Sequence, residues 1–175
     1  SRIKIQTVEK ENNIKYRVFN IKDGRLYTDR IQDTAIILDN FIVDGPSFQL
    51  RQINNAKNNV EVEQNIVFRR GTPRIKKNIN GKVLSLLTGG AGNDNFWHWM
   101  FDVLPRLALC EEVTDLNFID FFLLPDTEEK FQMETLDLLN ISKKKRISSK
   151  FFRHIHCPEL FVTNHPYAIT GDITH

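Results

Sequence analysis

What this 175-residue sequence lacks already closes several classes of function. It has two cysteines, Cys110 and Cys157, far apart and outside any CxxC spacing, so neither a zinc site nor a disulfide framework is indicated and a reducing compartment is expected. No apolar run approaches the roughly 20 residues that cross a bilayer, and the opening stretch lacks the apolar core of a signal peptide. A soluble, cytoplasmic chain, at most peripheral to a membrane, is the expectation. An excess of one charge is missing too: 24 Lys and Arg stand against 22 Asp and Glu, a net of +2, too little for a chain-wide field that would hold nucleic acid. There is no repeat, no G-x-S-x-G elbow and no D-x-D triplet.

What is present is 41% hydrophobic residues, enough to bury one real core. Residues 1–80 read as a small β-rich region: short β-type runs at 14–19, 35–38, 41–43 and 60–68, with turns at 22–24 and 44–46. The polar stretches 54–59 and 69–77 read as exposed loops. From 81 to 175 the rhythm becomes strand and helix in alternation, the mark of a Rossmann-like α/β lobe. Apolar strands are expected at 82–88 and 118–124, a helix of about five turns at 93–112, an amphipathic helix at 128–139, and two short strands at 151–156 and 160–163. The chain begins with Ser1 and stops after residues 172–175 without a closing element, as a piece of a longer protein would.

The segment from Asn95 to Leu109 carries the chemistry. On a regular helix Asn95, His98, Asp102 and Arg106 fall within an arc of about 80°, one polar stripe on a helix that is otherwise apolar all round. Such a stripe is unfavourable unless its groups are paired or face a cleft. His98 and Asp102, four apart, can meet so that the carboxylate orients the imidazole, either as a satisfied core pair or as a catalytic one. Pro105 should kink the helix by removing a bond to the Phe101 carbonyl. Gly89 to Gly92, between strand and helix, allow a tight turn or an anion site on backbone N–H groups, with Asn93 or Asp94 as helix cap. The dinucleotide fingerprint fails, because Asn95 stands where its third glycine belongs.

These residues resemble family 61 glycosyltransferases, the capsular-polysaccharide biosynthesis type, whose helix reads N-x-x-H-W-x-x-D-x-L-P-R-L. Here Asn95, His98, Trp99, Asp102, Leu104, Pro105, Arg106 and Leu107 match it without a gap, and residues 122–125, 131–136 and 139–141 resemble the family's following strand and helix. The resemblance covers roughly residues 82–163. It implies a Rossmann-like lobe of a GT-B-type glycosyltransferase, preceded by the small β-rich region. It further implies inverting transfer from a nucleotide sugar to a glycan or polysaccharide acceptor, with no metal and no cofactor. The lobe that usually holds most of the donor site lies beyond these residues in the family.

Within that reading His98, supported by Asp102, is the candidate base. Arg106 suits either donor phosphate or a salt bridge to Asp102, and Asn95 suits a sugar hydroxyl or the helix cap. Gly90, Gly92 and Asn93 are candidates for substrate contact. His154 and His156 share a strand face with Cys157 on the other, so no third metal ligand is placed. The basic run at 143–146 reads as a solvated turn, with a lesser chance of touching an anionic lipid or polymer, and His165 as a loop residue. The principal rival is a noncatalytic carbohydrate-binding or assembly module. A hydrolase using His98 and Asp102 ranks last for want of a nucleophile.

Overall fold

A computed structural model describes residues 1–30, 33–53, 56–59, 62–69, 74–87 and 95–164. The chain opens with a hairpin of β1 (Ile3–Lys10) and the long β2 (Ile14–Thr28), closed by a 3-10 turn in which Asn13 takes a left-handed φ of 59°. Next come β3 (Asp33–Leu38), β4 (Phe41–Ile42), β5 (Phe48–Ile53), β6 (Ala56–Asn59), the single turn α1 (Ile66–Arg69) and β7 (Lys77–Asn78). The second half holds β8 (Lys82–Ser85), α2 (Phe96–His98), a π turn over Trp99–Val103, α3 (Pro105–Glu111), β9 (Phe121–Leu124), α4 (Lys130–Leu138), β10 (Arg146–Ser148) and β11 (His154–Thr163).

Among the described residues the eleven strands join in the order β10-β9-β8-β11-β2-β3-β5-β6, with β1 also on β2, β4 on β3 and β7 on β11. β8, β9, β10 and β11 are parallel to one another, whereas β11 runs antiparallel to β2 over most of its length. Alternation along β8 and β9 sorts the core. Leu84, Leu86, Phe122 and Leu124 face Trp99, Val103, Leu107 and Leu136 of the helices, with Phe161 of β11 beside them. Val83 and Leu123 face the other way, onto Leu26, Ile36 and Ile155 of the antiparallel strands.

This second core exists because β2 and β11 bend together. β11 turns Ile155 and Cys157 into it and then Leu160 and Val162, a step of three where a flat strand would step by two. β2 makes the matching change between Ile21 and Leu26, so the pairs stay in register, Cys157 opposite Gly24 and Glu159 opposite Lys22. At the bend Pro158 has no N–H to give and Asp23 opposite takes a φ of 52°. Past it, the end of β2 lies back over the parallel strands, where Arg30 reaches Asp126 at 2.6 Å just after β9.

The expectation of a Rossmann-like lobe of GT-B type is therefore overturned: the chain is a mostly β-sheet protein with few helices. The parallel strands do alternate with helices, but both longer helical segments cover the same face, while strands cover the other. A Rossmann lobe needs helices on both. Local readings fail where pairing overrides local cues. Residues 22–24 bend a strand rather than end it, and residues 56–59 of the expected loop pair with β5. Of the run expected at 60–68, the described residues from Val62 on form a 3-10 turn and most of α1 rather than a strand. Residues 151–156 and 160–163 contribute to one strand, and Arg146 starts β10 instead of ending a turn. No helix among the described residues is long and apolar enough to cross a membrane.

Two outcomes are expected. A Cβ at Gly24 would lie 2.9 Å from Leu160 Cβ, so Gly24→Ala should destabilise by about 1–3 kcal/mol, read as a lower urea midpoint at unchanged m-value. Cys110 and Cys157 are fully buried, and burial pushes both thiols up to about 12, so iodoacetamide at neutral pH should label neither until denaturant is added.

Candidate functional site

The helix that follows β8 begins where the Asn95 side chain accepts from the N–H groups of Trp97 (2.9 Å) and His98 (3.4 Å). Asn95 is thus the cap, one of the two roles expected for it, in the place for which Asn93 or Asp94 was also a candidate. The helix is not one regular rod over 93–112. Pro105 has no N–H, and its ring would press on the carbonyl of residue 101 in an α-helix. The chain opens a wider turn instead: Leu104 N–H donates to Trp99 O at 3.0 Å, five residues back, and Pro105 then starts α3 as its first residue.

Around this π turn the expected distribution of polar and apolar groups is partly inverted. Trp99, Val103, Leu107 and Cys110 face the sheet, and Trp99 Nε1–H donates to Thr135 of α4 at 2.9 Å. Phe96 and Trp97, expected inside, are 58% and 43% exposed, and the Trp97 ring lies 4.4 Å from that of Phe101. Asp102 and Arg106, expected to present a polar stripe, are buried. The reason is the neighbouring strand. Arg106 NH1 donates to the carbonyl of Thr163 (3.3 Å) and to its hydroxyl (3.1 Å) at the end of β11, while its Nε–H donates to the Asp102 carbonyl at 3.0 Å. Burial lowers the Arg106 pKa to about 10, partly opposed by the Asp102 charge, so the guanidinium stays protonated at neutral pH.

Asp102 and His98 meet as their spacing suggested. Asp102 Oδ2 lies 2.6 Å from His98 Nδ1, and its other oxygen is buried with no partner among the described residues. The two ends of the pair differ. Asp102 keeps 2% of its side-chain surface and His98 keeps 26%. With Asp102 accepting from Nδ1–H, the lone pair is on Nε2, which makes the ring a base toward anything that reaches it. The structure thus brings Asn95, His98, Asp102 and Arg106 onto one connected run, with Asn95 and His98 at its open end. Gly90, Gly92 and Asn93, and with them the expected glycine-loop anion site, lie outside the described residues, as does His165.

Sequence reasoning missed Thr163, Thr135 and the exposed aromatic pair. Thr163 carried only a faint signal, a polar residue two positions after Phe161 and so on the same, helix-covered face. Compared with known proteins, the chain matches no family model, no curated protein and no solved structure.

Arg106→Met should destabilise the protein by about 3 kcal/mol, because it strips the buried Asp102 charge and Thr163 of their partner. Arg106→Lys should recover only part of this, since an ammonium cannot reach both sides of the guanidinium's span. Urea midpoints check both.

Proposed function

We propose that the chain serves glycosyl transfer, with His98 as the base that activates an acceptor hydroxyl. The observation that carries this reading is the asymmetry of the pair: a buried carboxylate orients an imidazole that stays partly open, beside an exposed aromatic surface. His98 Nε2 would take the hydroxyl proton as the acceptor oxygen bonds to the anomeric carbon of a nucleotide sugar. The nucleoside diphosphate would leave with the electron pair of the broken bond, and the configuration would invert. Asp102 stabilises the imidazolium that forms. Arg106, with three of its hydrogen bonds made internally, is proposed as a positioning residue rather than a phosphate contact. Trp97 and Phe96 offer apolar faces of the kind on which sugar rings stack, so the acceptor is proposed as a glycan or polysaccharide. Gly90, Gly92 and Asn93 are proposed for the donor's diphosphate, on the strength of the family 61 resemblance and the strand–glycine–helix order alone.

A second reading, a noncatalytic carbohydrate-binding module, draws on the same exposed aromatics. Nucleoside diphosphate release from a panel of nucleotide sugars with glycan acceptors separates the two. Under the first reading, His98→Ala lowers turnover by about 10²- to 10⁴-fold with donor binding unchanged, and Asp102→Asn lowers it less, at melting temperatures near the parent's. Turnover that persists in folded His98→Ala removes His98 as base. Glycan binding that depends on Trp97, with no nucleotide sugar consumed, establishes the module.

A further inference from the structure

At the other end of β11 a cavity of about 300 Å³ opens between the segment leading into β7, the turn after β10 and the first residue of β11. Its polar lining is Arg74, Lys77, Lys150, Arg153 and His154, with no carboxylate among its described walls. Lys150 shares its charge with Glu128 and, at 3.8 Å, with Asp126. Arg74 and Lys77 are exposed and have no acidic partner among the described residues; Lys77 Nζ lies 4.6 Å over the Phe152 ring.

Exposed cations alone would be ordinary surface. His154 is not. The residue is only 8% exposed, its Nδ1–H donates to the Arg74 carbonyl at 2.8 Å, and its Nε2 is buried without a partner among the described residues. A buried ring nitrogen left unpaired is unfavourable, and the groups around it do not supply what it needs. β2 contributes the Tyr27 ring at 5.2 Å and the Arg25 charge, the β7 segment Arg74, Lys76 and Lys77, and the turn after β10 Lys150 and Arg153. Among the described residues Asp126 and Glu128 pair with Lys150 at the edge of this region. Burial first, then the charges of Arg25 and Lys76, hold the His154 pKa below its usual value, against the pull of the Arg74 carbonyl.

We propose that this cavity binds an oxyanion, a phosphate- or sulfate-type group, between Arg74, Lys77 and the ring of His154. The anion offsets the gathered positive charge and lets His154 take a proton on Nε2, which turns an unpaired acceptor into a charge-assisted donor. Binding and protonation are therefore linked, and the site is tighter at lower pH. Ile75 and Phe151, 89% and 64% exposed, flank the opening and suit the apolar part of whatever carries the group. Two sources share this chemistry, a soluble phosphate ester and a phospholipid headgroup.

The test follows the His154 imidazole nitrogens by NMR in the full chain during titration with inorganic sulfate, at ionic strength matched with sodium chloride. Sulfate remains a dianion from about pH 5 to 8, so any pH dependence belongs to the protein. Melting is a poor readout, because sulfate stabilises folded proteins by exclusion. In chloride alone His154 should titrate below the ordinary 6.5 or so. Sulfate should raise that midpoint and bind saturably, more tightly as the pH falls. Arg74→Ala with Lys77→Ala keeps the Arg74 carbonyl and should weaken binding about tenfold or more, whereas Lys143→Ala with Lys144→Ala should change nothing. Non-saturable or pH-independent sulfate effects, or equal effects in both double variants, overturn the proposal. Sedimentation with phosphatidylglycerol vesicles, against phosphatidylcholine alone, then assigns the source. Co-sedimentation that the Arg74/Lys77 double variant loses points to a headgroup, and none, with sulfate binding intact, to a soluble ester.

Discussion

The antiparallel ladder between β2 and β11 is the constraint on which the rest of the structure depends. It is the seam at which four parallel strands meet the antiparallel ones, and its shared bend at Asp23 and Pro158 lets one ladder line a core that two flat sheets would need two ladders to enclose. Both ends of β11 then have other work. At Thr163 it holds Arg106, which holds the Asp102 carbonyl, and Asp102 holds His98. At His154 it forms one wall of the basic cavity. A slip of one residue in this pairing would turn every side chain of β11 to the opposite face and disconnect both.

The helix beside it carries two unfavourable features that stabilise each other. Pro105 denies the helix a hydrogen bond, and two ionised groups sit below the surface. Opening the π turn lets the helix pass Pro105 without a clash, with the Leu104–Trp99 bond in place of a regular one. Burial of Asp102 is offset by the imidazole on one side and by the guanidinium charge on the other. Arg106 in turn depends on oxygens at the end of a strand rather than on a carboxylate, which is why removing it reaches further than one hydrogen bond.

Much of the local order was legible in the sequence. The His98–Asp102 contact follows from a spacing of four, and the β runs at 14–19, 35–38 and 41–42 and the helix of residues 130–138 from periodicity. What failed was long-range. Asp23 and Gly24 carry turn chemistry, and Pro158 reads as a strand breaker, because local preference cannot reveal that a bend in one strand is met by a bend in its partner. The Rossmann expectation came from true parallel strands, but which layer covers their second face is decided by Leu26, Ile36 and Ile155, over a hundred residues apart at the extremes. Burial of Asp102 and Arg106 was likewise hidden, since their partner Thr163 lies 57 residues beyond Arg106.

Because the fold expectation was overturned, a functional reading must rest on the site itself. The choice is between a pair that only stabilises the helix and one that acts. A purely structural His–Asp pair has two favourable settings. At the surface neither group is desolvated, and fully inside both find partners for every polar atom. Here the desolvation of Asp102 is incurred and one of its oxygens goes without a partner among the described residues, while the imidazole it orients remains partly open. That combination stabilises less than either alternative. It does fix the ring orientation and support positive charge on the ring, which is what the proposed base at Nε2 would use. Phe96 and Trp97, which precede His98 in the chain, are the exposed aromatics on which the proposed glycan acceptor would rest.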